Sequence, residues 1–152
     1  MVQNSAKHLI IGGGIIGCSI AYHLSRMGEK DVCLLERANL TEGATWHAAG
    51  LVGQLRSSRN TTRMLKKSVE MYDRLQLQEG LKFDWKKTGS LRLAATKERM
   101  LEARRLATMA RSFDLEMHII SPSEAKQLFP LIEQNGLEGA AFIPSDGYVD
   151  PA

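Results

Sequence analysis

Two cysteines in 152 residues, Cys18 and Cys33, are too few for a disulfide scaffold and lack the spacing of a metal site. Both fall in apolar segments and are expected as small core residues of a reduced, intracellular protein. Proline is as scarce: all four lie at or beyond Pro122, and no proline-rich or low-complexity linker divides the chain. No apolar run approaches the roughly 18 residues that a membrane-crossing helix needs. Only seven residues precede the first apolar run, which leaves no room for a signal peptide or an Arg-rich transit peptide. A cytoplasmic location is expected, or the mitochondrial matrix if the source is eukaryotic. Charge of one sign is also in short supply. A formal net charge of +3 is too weak to indicate nucleic acid, although it mildly favours anionic cofactors or carboxylate substrates. The basic pairs Lys66-Lys67, Lys86-Lys87 and Arg104-Arg105 are scattered and read as solvated faces.

What is present is ordinary globular material, 43% hydrophobic and 24% charged, in a chain long enough for a real core. The apolar run "HLII", His8 to Ile11, stops at three glycines. Beyond them Ile16, Ile20 and Leu24 recur at helical spacing, with Gly17 and Ala21 beside them, which predicts one apolar helix face. Gly28 sits where a helix C-terminus favours a left-handed residue. "DVCLLE", Asp31 to Glu36, is a second run of strand length. Strand, glycine turn, helix and strand within about thirty residues make a βαβ unit with parallel strands. Downstream, the pattern predicts helices over 61–79 and 97–111, the latter with Met100, Ala103, Ala107 and Ala110 on one side, and strands at 90–94, 116–120 and 139–144. Ser121, Pro122 and Glu124 form a capping box for a short helix. The final "DGYVDPA" reads as turn-rich, with no closing strand, and looks like a truncation. The expected fold is α/β: a Rossmann-like FAD-binding βαβ unit over residues 1–60, leading into the start of an α+β substrate domain over 61–152.

Gly12-x-Gly14-x-x-Gly17 between a strand and a helix is a dinucleotide fingerprint. Gly12 serves the tight turn, Gly14 the approach of a pyrophosphate, and Gly17 the packing of helix on strand. Ile15 and Ile16 would offer backbone N–H groups at the positive end of the helix. Glu36, at the end of the second strand, can accept hydrogen bonds from ribose hydroxyls and would repel a 2′-phosphate, which favours FAD or NAD over NADP. Arg37 can cover the adenine or pair with a carboxylate. No clear third parallel strand follows, which favours an FAD protein over an NAD domain. Next comes "GATWHAAG", where Gly43, Ala44, Thr45, Trp46, His47 and Ala48 place one imidazole among small residues that permit close backbone approach. A neutral imidazole there can attack a flavin methyl group. His8, His23 and His118 carry no such neighbours and read as structural.

The segments "LIIGGGIIGCSIAYHLSRMGEKDVCLLER", "LTEGATWHAAGL" and "DGYVDP" resemble the N-terminal part of the dimethylglycine and sarcosine dehydrogenases, within the D-amino-acid-oxidase-like FAD oxidoreductases. "GQLR", Gly53 to Arg56, is similar to the sarcosine branch, whereas Ala44 departs from the Ser or Thr of that pattern. The resemblance implies FAD held by Ile15, Ile16, Glu36, Arg37 and residues 43–48, with an 8α-methyl link to His47. It implies oxidation of a small-molecule N-methyl amine such as sarcosine or dimethylglycine, a hydride passing to the flavin. The resulting iminium either hydrolyses to formaldehyde or is captured by tetrahydrofolate in a further region of a longer protein. An electron-transfer flavoprotein or another acceptor then takes the electrons. No catalytic acid or base is assigned, no metal is expected, and residues 1–152 alone are expected to be inactive. Arg56 and Arg59 read as surface residues rather than anion binders. The rival reading is a non-catalytic regulatory subunit of the pyruvate dehydrogenase phosphatase type. His47 within "TWHAAG" argues against it.

Overall fold

A computed structural model describes residues 5–151, so the ends of both expected domains lie partly outside it. The chain forms two compact units, one running through Gly50 and the other spanning Leu51–Asp150.

The first unit is the βαβ element. Strand β1 (His8–Ile11) pairs in parallel with β2 (Val32–Leu35), Ile10 opposite Leu34, and α1 (Ile15–Arg26) makes the crossover. Gly28, at φ 89°, ends the helix: its N–H donates to Ser25 O, and the N–H of Glu29 donates to Leu24 O. The helix seats itself differently from the isoleucine periodicity. Gly17 is its buried residue, whereas Ile16 is 75% and Ile20 45% exposed. Small residues let helix and strands approach closely, so the packed face is the one around Gly17 and Ala21. Cys18 and Cys33 are half-buried rather than fully enclosed.

The second unit holds two three-stranded antiparallel sheets. Leu51–Val52 (β3) and Trp85–Lys86 (β4) flank Gly147–Val149 (β8). Ser90–Ala94 (β5) and His118–Ile120 (β6) flank Gly139–Ile143 (β7). The terminal segment expected to lack a strand therefore supplies the central one, β8. Its three residues are too short to show an alternating pattern, and pairing across 95 or 97 positions of sequence leaves no local sign. Helix α2 (Arg59–Leu77) starts two residues earlier than expected because Ser58 accepts a hydrogen bond from the Thr61 N–H as its N-cap. Helix α3 (Lys97–Arg111) buries Ala103, Ala107 and Ala110 as its spacing predicts. Helix α4 (Pro122–Leu128) has both halves of the expected capping box.

The core of this unit gathers Leu55, Ala110, Phe113, Leu115 and Ile143, with a smaller cluster of Ala125, Ile132 and Ala140. Strand β5 inverts the simple rule of polar out and apolar in. Ser90 Oγ donates to the buried Asp146 at 2.6 Å and Arg92 to Leu55 O at 3.0 Å, whereas Leu93 is 47% exposed.

Candidate functional site

The glycine turn between β1 and α1 is built by backbone geometry. Gly12 takes φ +104°, a conformation costly for residues with a side chain, and its N–H donates to Leu35 O at 2.8 Å. A Cβ on Gly17 would collide with the Gly12 carbonyl oxygen and approach Ile10 Cγ2 to 3.3 Å. The start of α1 is therefore pressed onto the turn. Gly14 is its N-cap, without a side-chain hydrogen bond, and no acidic residue stands in the first turn. Within the helix itself no charge offsets the positive end of its dipole.

Glu36 closes over this turn. Its Oε2 accepts from the Gly13 N–H at 2.6 Å and its Oε1 from the Ala38 N–H at 3.1 Å. The Gly13 bond, then the Ala38 bond, hold the carboxyl below its ordinary value of 4.5, with a smaller attraction from Arg37. Arg37 itself is exposed.

The segment carrying Trp46 and His47 is tied to the same turn. The Thr41 N–H donates to Gly13 O at 2.9 Å, and Thr45 Oγ1 accepts from the Ile15 N–H at 3.0 Å. The Trp46 N–H returns to Thr41 O at 3.2 Å, and the Ala48 N–H to Thr45 O at 3.1 Å. His47 Nδ1 lies 2.9 Å from Gly43 O. A carbonyl only accepts, so Nδ1 carries the proton, and in the neutral ring the lone pair resides on Nε2. The Trp46 and His47 rings meet edge to face at 5.0 Å. Trp46 is 53% exposed, and Gly43, Ala44, His47 and Ala48 are exposed with it. A Cβ on Gly43 would meet nothing within 4 Å, so the small residues border open space.

Of the residues expected at the cofactor, hydrogen bonds and packing thus join Gly12, Gly14, Ile15, Gly17, Glu36 and Thr45, with His47 two residues on. Ile16, Arg37, Ala44, Trp46 and Ala48 line the turn or the segment without a side-chain bond to it. The set fits a flavin dinucleotide. A helix start with no side chain on its N-cap and no acid in its first turn suits a pyrophosphate, and a carboxylate with two accepting oxygens suits ribose hydroxyls. No group of three or more His, Cys, Asp or Glu among the described residues could hold a metal ion.

The model of the FAD dependent oxidoreductase family called DAO matches residues 7–152. The chain belongs to this family. It is 39% identical to mouse mitochondrial sarcosine dehydrogenase over 152 residues, covering 99% of this chain and 16% of that protein. It is 38% identical to rat mitochondrial dimethylglycine dehydrogenase over 149 residues, covering 98% of this chain and 17% of that one. The mouse mitochondrial pyruvate dehydrogenase phosphatase regulatory subunit is also a relative, 36% identical over 147 residues, with 97% and 17% covered. Among solved structures, L-proline dehydrogenase from P. horikoshii matches with a TM-score of 0.92 and 29% identity, over 99% of this chain and 39% of that one. The chain spans about one sixth of the length of these curated relatives. Membership of an FAD family decides against the NAD-domain reading.

A second polar cluster, which no local pattern announces, lies in the Leu51–Asp150 unit. Asp146, 1% exposed, takes the Gln54 N–H and the Gln54 side-chain amide at 3.0 Å each, besides Ser90. Its three donors lie 92 and 56 residues away, beyond any local signal. Arg56 and Arg92 both donate to Leu55 O, at 2.9 and 3.0 Å, and Arg59 is the exposed first residue of α2.

Proposed function

We propose that the full-length protein is an FAD-dependent amine dehydrogenase that oxidatively demethylates sarcosine or dimethylglycine-type N-methyl amines, and that its flavin is tethered to His47. The observation that carries this reading is the placement of His47. Its segment is hydrogen-bonded to the glycine turn, and Gly43 O engages Nδ1, which leaves Nε2 as the nucleophilic nitrogen. Ile16 would present its N–H group to the pyrophosphate, with Ile15 beside it through the N–H that Thr45 accepts, and Glu36 would accept from the ribose in place of its present backbone partners. Arg37 would lie against the adenosine end, with Gly12 and Gly17 keeping the turn close to the cofactor. Residues 43–48 would pass along the flavin. Bound there, the flavin supplies a two-electron acceptor for the hydride that leaves the substrate methyl group.

His47 Nε2 would bond to the flavin 8α-methyl carbon in exchange for one methyl C–H bond. Two protons, one from the methyl and one from the imidazole, would pass to solvent, and two electrons to dioxygen or the enzyme's acceptor. An electron-transfer flavoprotein is the acceptor that fits the family resemblance, and tetrahydrofolate would be served by regions beyond these residues. The mitochondrial relatives support a matrix location if the protein is eukaryotic. No helix of the described residues is long and apolar enough to cross a membrane.

The reading is tested by mixing the full-length protein anaerobically with sarcosine or dimethylglycine. Bleaching of the oxidised flavin absorbance is expected with at least one of them. A protein that carries flavin and keeps its colour with both would contradict the substrate assignment. The regulatory-subunit reading, favoured by the 36% identity to such a subunit, gains if the purified protein carries no flavin.

A further inference from the structure

We infer that Thr45, besides its place among the residues expected at the cofactor, is the positioning residue that aims His47 through its hydroxyl. The inference rests on the covalent reading of His47. Residues 41–48 form a small hydrogen-bonded loop with two ties to the glycine turn, from the Thr41 N–H to Gly13 O and from the Ile15 N–H to Thr45 Oγ1. The tie at Thr41 comes with strain. Its φ of +67° is unfavourable for a β-branched residue and persists only where surrounding bonds hold it. The tie at Thr45 is the one nearer His47 and depends on a side chain. Thr45 opens the tight turn whose last residue, Ala48, donates back to Thr45 O, so His47 lies inside a turn anchored through the Thr45 hydroxyl.

That hydroxyl also supplies α1 with the side-chain acceptor its N-cap glycine lacks. One bond thus sets the imidazole in register with the first N–H of the helix that would receive the pyrophosphate. The bond from His47 Nδ1 to Gly43 O then fixes the ring within the loop. A nucleophile held this way gains rate from alignment, which a displacement of about 1 Å can forfeit by a factor on the order of 100.

Three variants of the full-length protein, prepared as apoprotein and given FAD, test the inference. Thr45→Val keeps the branched shape and removes the acceptor, Thr45→Ser keeps the acceptor, and His47→Gln removes the attachment point. Total bound flavin is read from absorbance, and attached flavin from fluorescence that stays with acid-precipitated protein over time. Per FAD bound, Thr45→Val is expected to attach the flavin on the order of 100-fold more slowly, with Thr45→Ser within about threefold of wild type. Attachment by Thr45→Val at the wild-type rate would overturn the inference. So would a Thr45→Val protein that binds no FAD, because the hydroxyl would then hold the cofactor rather than aim the histidine. A wild-type protein without acid-stable flavin, indistinguishable from His47→Gln, would overturn the covalent reading and this inference together.

Discussion

In the first unit the buried residues are Ile10, Gly13 and Gly17, while Leu9, Ile11, Ile15, Ile16 and Leu35 stand at least half exposed. In the second, Leu55, Ala110 and Ile143 are shut away with the fully enclosed polar side chains of Thr62 and Asp146. The first unit owes its shape to backbone: a parallel strand pair, a glycine turn, and N–H groups donated to Glu36, Thr45 and Gly13 O. The second unit owes its shape to a packed core and to polar contacts between residues far apart in sequence. The lesson is that the same chain separates a frame for a ligand from a body that folds around itself. Each should respond to a different kind of substitution.

Gly17→Val strikes the first unit hardest. The new side chain runs into the Gly12 carbonyl and Ile10, backbone and core at once, so a cost above about 3 kcal/mol and loss of bound FAD are expected. Flavin stoichiometry and a urea melt of the purified variant check this. Asp146→Ala is the corresponding blow to the second unit. It leaves two Gln54 donors and the Ser90 hydroxyl without their acceptor and should cost about 3 kcal/mol. Should Asp146→Ala prove neutral in denaturant, the second unit would not depend on its polar cluster and the contrast would fail. Ser121→Ala removes one half of the α4 capping box and is expected to cost about 1 kcal/mol, detectable as a lower urea midpoint with an unchanged slope.

The smallest expected effect is a pH dependence of the first unit. Folding lowers the Glu36 pKa, chiefly through the Gly13 N–H, so its contribution is complete above its ordinary value of 4.5 and is lost as pH falls through the lowered folded value. Glu36→Gln should flatten that acid limb in a stability titration. An unchanged limb would mean that the Gly13 contact contributes nothing.

Much of the first unit was legible because its chemistry is local. The strand at His8, the glycine spacing, the carboxylate at Glu36 and the histidine among small residues all lie within forty positions of one another. The isoleucine stripe of α1 does not mark the face that meets the strands, which is the one around Gly17. In the second unit the capping box at Ser121 and the alanine face of α3 could be read, each being a pattern within one helix. The strand at Gly147 and the cluster at Asp146 could not, since their partners lie tens of residues away and leave no periodicity. Thr45 shows the same limit on a smaller scale: a threonine in a loop announces neither the helix N–H it accepts nor the histidine it holds.

The central claim, that the segment 41–48 brings His47 to a flavin held by the glycine turn, is tested most directly on wild-type full-length protein. It is precipitated with acid, washed and digested, and the yellow peptide is identified by mass. The account predicts flavin on the peptide containing His47. Flavin that leaves entirely with the supernatant would contradict it.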